Sequence, residues 1–350
     1  MASYIGIDLG TTYSAVAKID QNGIPKIIEN NGKNITASCV ALDNDTLVVG
    51  DGPEALYGEE GFSIGARFKR HMGEDYLTKL GSNQFNPTDL SAAVLSEMKR
   101  IAEEEVGEIA EAVVTIPANF THEARDATMQ AAKKAGLNVK YIINEPTAAA
   151  LYYGYDGGGA MSGNYIVYDL GGGTFDVSVV NISGDNIEVV ATEGVSKLGG
   201  DDFDRALREI IKTKYKSMSG LEVSDRKISL AKIAEMKIKL SNRETAKIMV
   251  EDEIVEILRA EFEDAISPLI NQTEMLCKIV LDEAKLNLSE IKNVLLAGGS
   301  TRIPAIGRSI KKIFKQEPVS SVNVDEVVAL GAALYAALKS SGEHLSASQS

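Results

Sequence analysis

Tyr4-Ile5-Gly6-Ile7-Asp8-Leu9-Gly10-Thr11-Thr12-Tyr13-Ser14-Ala15-Val16 opens the chain. Tyr165-Ile166-Val167-Tyr168-Asp169-Leu170-Gly171-Gly172-Gly173-Thr174-Phe175-Asp176-Val177 echoes it near mid-chain. In each stretch an apolar run ends at Asp-Leu-Gly, passes small and hydroxyl residues, and returns to an alternating apolar run. That pattern predicts a β-hairpin whose turn presents backbone N–H groups and hydroxyls beside a carboxylate. Where no Cβ intrudes, several N–H groups can converge on anionic oxygens. Two such hairpins predict a duplicated α/β fold with two facing lobes. Paired phosphate-holding turns and paired aspartates describe a site for a nucleotide with Mg²⁺.

The bounds set by composition agree. A chain of 350 residues can build two or more cores. Its net charge of −14 argues against nonspecific nucleic-acid binding, and the acidity reads as solubility. The start carries no basic region followed by an apolar core, so no secretory leader is expected. No apolar run approaches the roughly 20 residues that span a bilayer, so no membrane partner is expected either. Cys39 and Cys277 lie far apart in apolar contexts and read as small buried hydrophobes of a cytoplasmic protein. His71, His122 and His344 show no metal-ligand spacing.

Along the chain, residues 4–30 read as three strands with tight turns. An amphipathic helix follows over 88–106, with Leu90, Val94, Met98 and Ile101 on one side. Val113–Ile116 reads as a buried strand stopped by Pro117, and a helix runs from about Thr121 to Ala135, ended by Gly136. A strand over 139–143 leads into a helix opened by Glu145-Pro146. The glycine-rich stretch 157–163 marks a lobe boundary, giving lobe I over 1–163 and lobe II over 164–324. Residues 201–290 read as largely helical, with a polar loop near 217–224 and a strand at 246–250. Val294–Ala297 is a strand, a helix follows Pro304, and a last helix over 325–338 packs back onto lobe I. Residues 339–350 read as a disordered tail. Alternating strands and helices give the α/β class.

Neither Gly-x-x-x-x-Gly-Lys-Ser/Thr nor a Gly-x-Gly-x-x-Gly after a strand occurs, so no P-loop or Rossmann site is indicated. Four motifs instead stand in order: Asp8-Leu9-Gly10-Thr11-Thr12, then Ile143-Asn144-Glu145-Pro146-Thr147-Ala148-Ala149-Ala150. Asp169-Leu170-Gly171-Gly172-Gly173-Thr174-Phe175-Asp176 and Gly298-Gly299-Ser300-Thr301-Arg302-Ile303-Pro304 complete the set. Over nearly residues 3–338 the chain resembles the nucleotide-binding domain of Hsp70 chaperones. These sit in the actin–sugar kinase–Hsp70 superfamily, which has an actin-like, ribonuclease H-like ATPase fold of two lobes around a nucleotide cleft.

That resemblance implies an ATPase using ATP/ADP and Mg²⁺ as a slow nucleotide switch. Asp8 and Asp169 would hold the metal, mostly through waters. Thr11, Thr12, Gly171, Gly172 and Thr174 would bind the β- and γ-phosphates, and Gly10, Tyr13, Gly173, Gly199 and Gly200 would also belong to the nucleotide site. Glu145 would orient or deprotonate the attacking water, with Asp176 as a second candidate. Lys69, in Phe68-Lys69-Arg70-His71-Met72-Gly73, would stabilise the transferring phosphoryl group, and Asp169 and Thr174 are also counted among the catalytic residues. Gly298, Gly299, Ser300, Arg302 and Ile303 would line one wall of the adenosine site. Lys237 and Ser241 would line the other, with Asp325 approaching.

Some features depart from the family. The usual acidic residue one turn before the lysine aligns with Ala234, and Glu235 is rotated about 100° away, which predicts weaker nucleotide affinity. The apolar linker and peptide-binding domain of the family are expected to be missing. The segments between Met72 and Asn86 and around 250–253 are short, and Tyr141 replaces an arginine used in docking a J-domain. Surfaces for a co-chaperone or exchange factor are therefore expected to be altered, whereas Pro117 and Arg125 match the family's relay pair. The expected state is a monomer. The competing readings are an actin-like filament-forming ATPase and a small-molecule kinase, but the chain carries no sugar-recognition motif.

Overall fold

The structure is a computed structural model that describes residues 3–158, 161–184 and 186–340. In the first half, β1 (Ser3–Asp8) and β2 (Tyr13–Ile19) form the first hairpin, and β3 (Pro25–Ile27) extends it. On the other side β4 (Ile109–Ile116) pairs parallel to β1, and β5 (Val139–Asn144) pairs parallel to β4. In the second half, β6 (Gly163–Leu170) and β7 (Phe175–Ser183) form the second hairpin, extended by β8 (Asn186–Val195). There β9 (Ile291–Ala297) pairs parallel to β6.

The two sheets, ordered β5-β4-β1-β2-β3 and β9-β6-β7-β8, repeat one plan: an antiparallel hairpin, an antiparallel third strand, and a parallel strand on the far side. Where the first sheet carries β5, the second has only a parallel bridge from Val319 to Leu295. This is the duplicated, two-lobed α/β architecture that the hairpin echo predicts.

Parallel neighbours need long crossovers, and helices fill them. The route to β4 passes through α1 (Pro87–Val106), and α2 (His122–Lys134) joins β4 to β5. Asn86 caps α1 by accepting from the Asp89 N–H at 2.8 Å, and Thr121 caps α2 by accepting from Ala124. The buried stripe of α1 includes the expected Leu90, Val94, Met98 and Ile101. In the second half α4 (Gly200–Ser219), α5 (Leu230–Asn242) and α6 (Arg259–Ala284) lie between β8 and β9. After β9 comes α7 (Pro304–Phe314).

The halves also exchange helices. The helix that ends the first half, α3 (Glu145–Asp156), packs on β6, β7, β8 and β9, whereas the last helix, α8 (Val327–Ser340), packs on β1, β2, β3 and β4. The two helices meet along small residues, and a central core of Val113, Ala148, Val167, Leu295, Val327 and Ala332 joins the halves. Each half keeps a larger core of its own.

Four local expectations change. Strand 246–250 is paired with a second strand, Glu253–Leu258, which the sequence reading left inside a helical region. Val255 and Ile257 are buried, but Ile254 and Leu258 on the opposite face are also apolar and exposed, so the period-two signal was blurred. Helix α4 continues through Ser217 to Ser219 and ends at Gly220, whose φ of +73° suits a residue without Cβ. Helix α8 begins at Val327 rather than 325. It also runs through Lys339 and Ser340, which the sequence reading placed in the tail; residues 341–350 lie outside the described residues. Both cysteines are buried free thiols, as expected. Among the described residues no helix is long and apolar enough to cross a membrane.

The α3–α8 contact depends on glycine. A Cβ on Gly331 would lie 1.8 Å from the Ala148 carbonyl oxygen. Helix propensity alone would favour Gly331→Ala by about 1 kcal/mol, whereas overpacking costs about 1–3 kcal/mol. We expect the clash to win and the melting temperature to fall by several degrees in scanning calorimetry. A rise would show that the two helices do not meet this closely.

Candidate functional site

The two hairpin turns face one another across the lobes. Gly172 backs onto Thr12, so that a Cβ there would lie 2.2 Å from the threonine Oγ1. Gly173 backs onto Arg70 and Thr11 in the same way. The second turn is closed by the Gly171 N–H donating to the Thr174 carbonyl at 3.1 Å. The start of α4 docks on it, with the Gly200 N–H donating to Gly171 and the Asp201 N–H to Gly172. Gly199, the residue before α4, leaves no room for a side chain against Gly173. A glycine-walled cradle is thus built from Gly171, Gly172, Gly173, Gly199 and Gly200, with Thr11 and Thr12 opposite.

Carboxylates crowd beside the cradle. Asp8 ends β1, and Asp169 sits near the end of β6, directly opposite Asp176 on β7. Glu145 is the first residue of α3, and the Lys69 Nζ donates to its Oε1 at 2.6 Å. Lys69 comes from a one-turn 3₁₀ segment, Phe68–His71, and is only 5% exposed. Thr115 on β4 donates to the Asp8 carboxylate at 3.0 Å, and Asn119, beyond β4, donates to Asp176 at 2.8 Å.

Burial and mutual repulsion govern the charges. Asp8 is pushed up to about 7, first by loss of hydration and then by Glu145; Lys69 and the Thr115 hydroxyl oppose the rise. Asp176 is likewise pushed up to about 7 by burial and Glu145. Asp169 is raised well above the usual carboxylate range by burial, Glu145, Asp176 and Asp8 together. Burial works against the Lys69 ammonium, but Glu145 and Asp8 outweigh it and raise the lysine.

A second set of contacts surrounds the cradle, and its first members tie the lobes together. Arg67, with φ +62°, forms a two-pronged ion pair with Asp201 at 2.6 and 2.7 Å, and Arg70 adds a third arm at 3.2 Å. Lys237 on α5 bonds the Gly200 carbonyl at 3.0 Å and Asp204 at 2.9 Å. The Ser300 hydroxyl donates to the Gly171 carbonyl at 2.8 Å, which joins the glycine turn 298–300 to the cradle.

The remaining expected residues are more dispersed. Arg302 pairs with Asp325, whose Oδ1 lies against Gly299. Ile303 packs its side chain in the second lobe's core. Ser241 donates to the Lys237 carbonyl within its own helix, and Tyr13, at the start of β2, is 41% exposed. Glu235 pairs with Lys239 on the solvent face, so the rotation expected from the sequence is seen. Sequence reasoning missed Arg67, Asn119, Thr115, Asp201 and Asp204. Each is a lone polar residue whose partner is remote in sequence, and only Asp201 and Asp204, following the Gly199-Gly200 pair, had a local cue.

The residues fit a metal-bound nucleotide. Thr12 Oγ1, Arg70 Nε and Asp204 Oδ1 are buried along the cleft without a hydrogen-bond partner. An oxygen-only donor set suits a hard divalent cation. Among the described residues no group of three or more His, Cys, Asp or Glu side chains is placed to hold a metal ion by itself.

The model of the Hsp70 protein family matches residues 4–347. The chain is 40% identical to the chaperone protein DnaK of Mycoplasmopsis synoviae over 346 residues, covering 94% of this chain and 57% of that protein. It is 40% identical to the same-named proteins of Mycoplasma mobile and Metamycoplasma hominis, covering 96% and 95% of this chain and 58% of each relative. The chain therefore spans less than two thirds of the length of these relatives.

The raised carboxyls give a pH prediction for the metal-free chain. Unfolded, Asp176 loses its proton near 3.8; folded, it keeps it to about 7. Between those values the folded state binds more protons, so this group's contribution to stability falls as pH rises and stays low above 7. Asp176→Asn removes that contribution. Its stability relative to wild type should rise by roughly 2 kcal/mol between pH 5 and 7.5 in urea titrations with EDTA. A difference independent of pH would show that Asp176 ionises normally.

Proposed function

The chain belongs to the Hsp70 family, and on that premise we propose that it binds ATP and ADP with Mg²⁺ between its lobes and slowly hydrolyses ATP as a nucleotide switch. One observation above all supports this reading: both Asp-Leu-Gly hairpins converge, with Gly172 against Thr12, around Asp8, Asp169 and the buried Lys69–Glu145 pair. Mg·ATP would supply the phosphoryl group to be transferred and a divalent charge. In this reading Asp8 and Asp169 hold the cation, chiefly through its waters. Thr11, Thr12, Thr174 and the backbone of Gly10, Tyr13, Gly171, Gly172 and Gly173 bind the phosphates, and Gly199 and Gly200 allow close approach. Lys69 neutralises charge that develops on the phosphoryl oxygens.

Glu145 orients the attacking water and takes its proton at a carboxylate oxygen, with Asp176 as the second candidate base. Gly298, Gly299, Ser300, Arg302, Ile303 and Asp325 form one side of the adenosine site, and Lys237 and Ser241 form the other. Lys237 is held by Asp204, and Glu235 turned to solvent supports weak binding of the ribose. We further propose a cytoplasmic monomer whose partners are co-chaperones or exchange factors that tolerate its altered lobe tips.

Two variants test the roles. Lys69→Ala should lower single-turnover ATP hydrolysis on the order of 100-fold with nucleotide affinity nearly unchanged; equal turnover would remove the lysine from the mechanism. Asp169→Asn should abolish the Mg²⁺ dependence of nucleotide binding in calorimetry, and wild-type behaviour in Mg²⁺ would exclude this site. Sedimentation velocity in Mg·ATP and Mg·ADP should show one slow species, whereas reversible ATP-dependent assembly would favour an actin-like filament.

A further inference from the structure

The Asn119 amide lies in the loop that leaves β4 and crosses from the first lobe to the second. Its Nδ2 donates to Asp176 Oδ1 at 2.8 Å. The space for this contact is made by Gly194 on β8, which pairs with Asp176 in the sheet register. A Cβ on Gly194 would fall 2.3 Å from Asp176 Oδ1 and 2.7 Å from Asn119 Nδ2. The neighbouring Phe120 presents its ring to the Lys69 ammonium, 5.8 Å from the centroid. One short loop therefore touches both the carboxylate and the cation of the site. Asn119 is itself exposed, whereas Asp176 is 8% exposed. An exposed asparagine adds little core packing, so the bond to Asp176 is its main structural commitment.

We propose that Asn119 is a positioning residue for ATP hydrolysis. It fixes one oxygen of Asp176 from the opposite lobe and so holds that carboxylate in place for the reacting water. The geometry suits the role. An amide offers a neutral donor to one oxygen without competing for the charge balance among Asp8, Glu145, Asp169 and Lys69. Misplacing a group at a reacting centre by about 1 Å can cost on the order of 100-fold in rate, so a positioning contact is expected to act on turnover more than on binding. This inference rests on the ATPase reading above.

The test uses the full chain and the variants Asn119→Ala, Asn119→Leu and Gly194→Ala. Asn119→Leu keeps the bulk and removes the donor, and Gly194→Ala forces donor and acceptor apart while leaving both in place. Each should lower single-turnover hydrolysis at least tenfold, with the ATP dissociation constant within about twofold of wild type and the melting temperature of the Asn119 variants unchanged. The Asn119→Ala/Gly194→Ala double variant should be no slower than the worse single one, because both remove the same contact.

A readout independent of turnover is the side-chain amide signal of Asn119 in the ¹⁵N-asparagine-labelled, nucleotide-free chain. It should shift on Asp176→Ala. Wild-type turnover in Asn119→Leu, a collapse of ATP affinity matching the loss of rate, or an amide signal indifferent to Asp176→Ala would each overturn the proposal. A wild-type chain that binds Mg·ATP in no assay and turns none over would instead sink the ATPase reading, and this inference with it.

Discussion

Four carboxylates, Asp8, Glu145, Asp169 and Asp176, are gathered around the single ammonium of Lys69, and their repulsion is the constraint from which the site follows. Loss of hydration pushes Asp8, Asp169 and Asp176 toward their neutral forms. Lys69 bonds directly to Glu145, and its remaining influence is spread over Asp8, Asp169 and Asp176. The other nearby cations are committed elsewhere, since Arg67 and Arg70 both face Asp201. The cluster therefore carries more potential negative charge than its own residues neutralise. A divalent cation stabilises such an arrangement more than any neutral ligand can, and it would also bring the aspartates back to their ionised form.

Holding like charges together requires a frame that does not yield, and the duplicated sheet provides one. Strand pairing sets Asp169 opposite Asp176. The parallel partner β4 delivers Thr115 to Asp8, and its continuation delivers Asn119 to Asp176. The frame can close this tightly because glycines stand where its halves approach most closely. Gly6 meets the backbone of α8, Gly331 meets Ala148, and Gly172 meets Thr12. At Gly298 both demands coincide, a φ of +80° and a Leu170 carbonyl 2.4 Å from where a Cβ would stand. Membership in the Hsp70 family accounts for the pattern of motifs, and these contacts give its physical reason.

What was legible in the sequence was whatever repeats or is local. The two Asp-Leu-Gly hairpins announced the fold, and a cap such as Thr121 marked a helix start within one residue. The helical offset of Glu235 could be read as a rotation, and the residue does face solvent. The strand over 253–258 stayed hidden because apolar residues stand on both of its faces. The cross-lobe ties stayed hidden for another reason. Arg67 and Asp201 are 134 positions apart, and Asn119 and Asp176 are 57 apart. A single charged or amide side chain carries no signature of a distant partner. Only the closed fold, with Gly194 leaving room, makes Asn119 more than a loop residue.

The two cross-lobe ties differ in kind. The Arg67–Asp201 pair keeps 18% and 21% of its side chains exposed, so water and salt screen part of its attraction. The Asn119–Asp176 bond ends on a carboxylate shielded from solvent. A hydrogen bond to an ionised oxygen is shorter and stronger than one to a protonated carboxyl. Any cation that draws Asp176 into its ionised form therefore strengthens the inner tie between the lobes. By linkage, lobe closure must favour the ionised form, and with it the cation, by the same factor. The crowded carboxylates thus couple the charge state of the site to the strength of the contact between its halves.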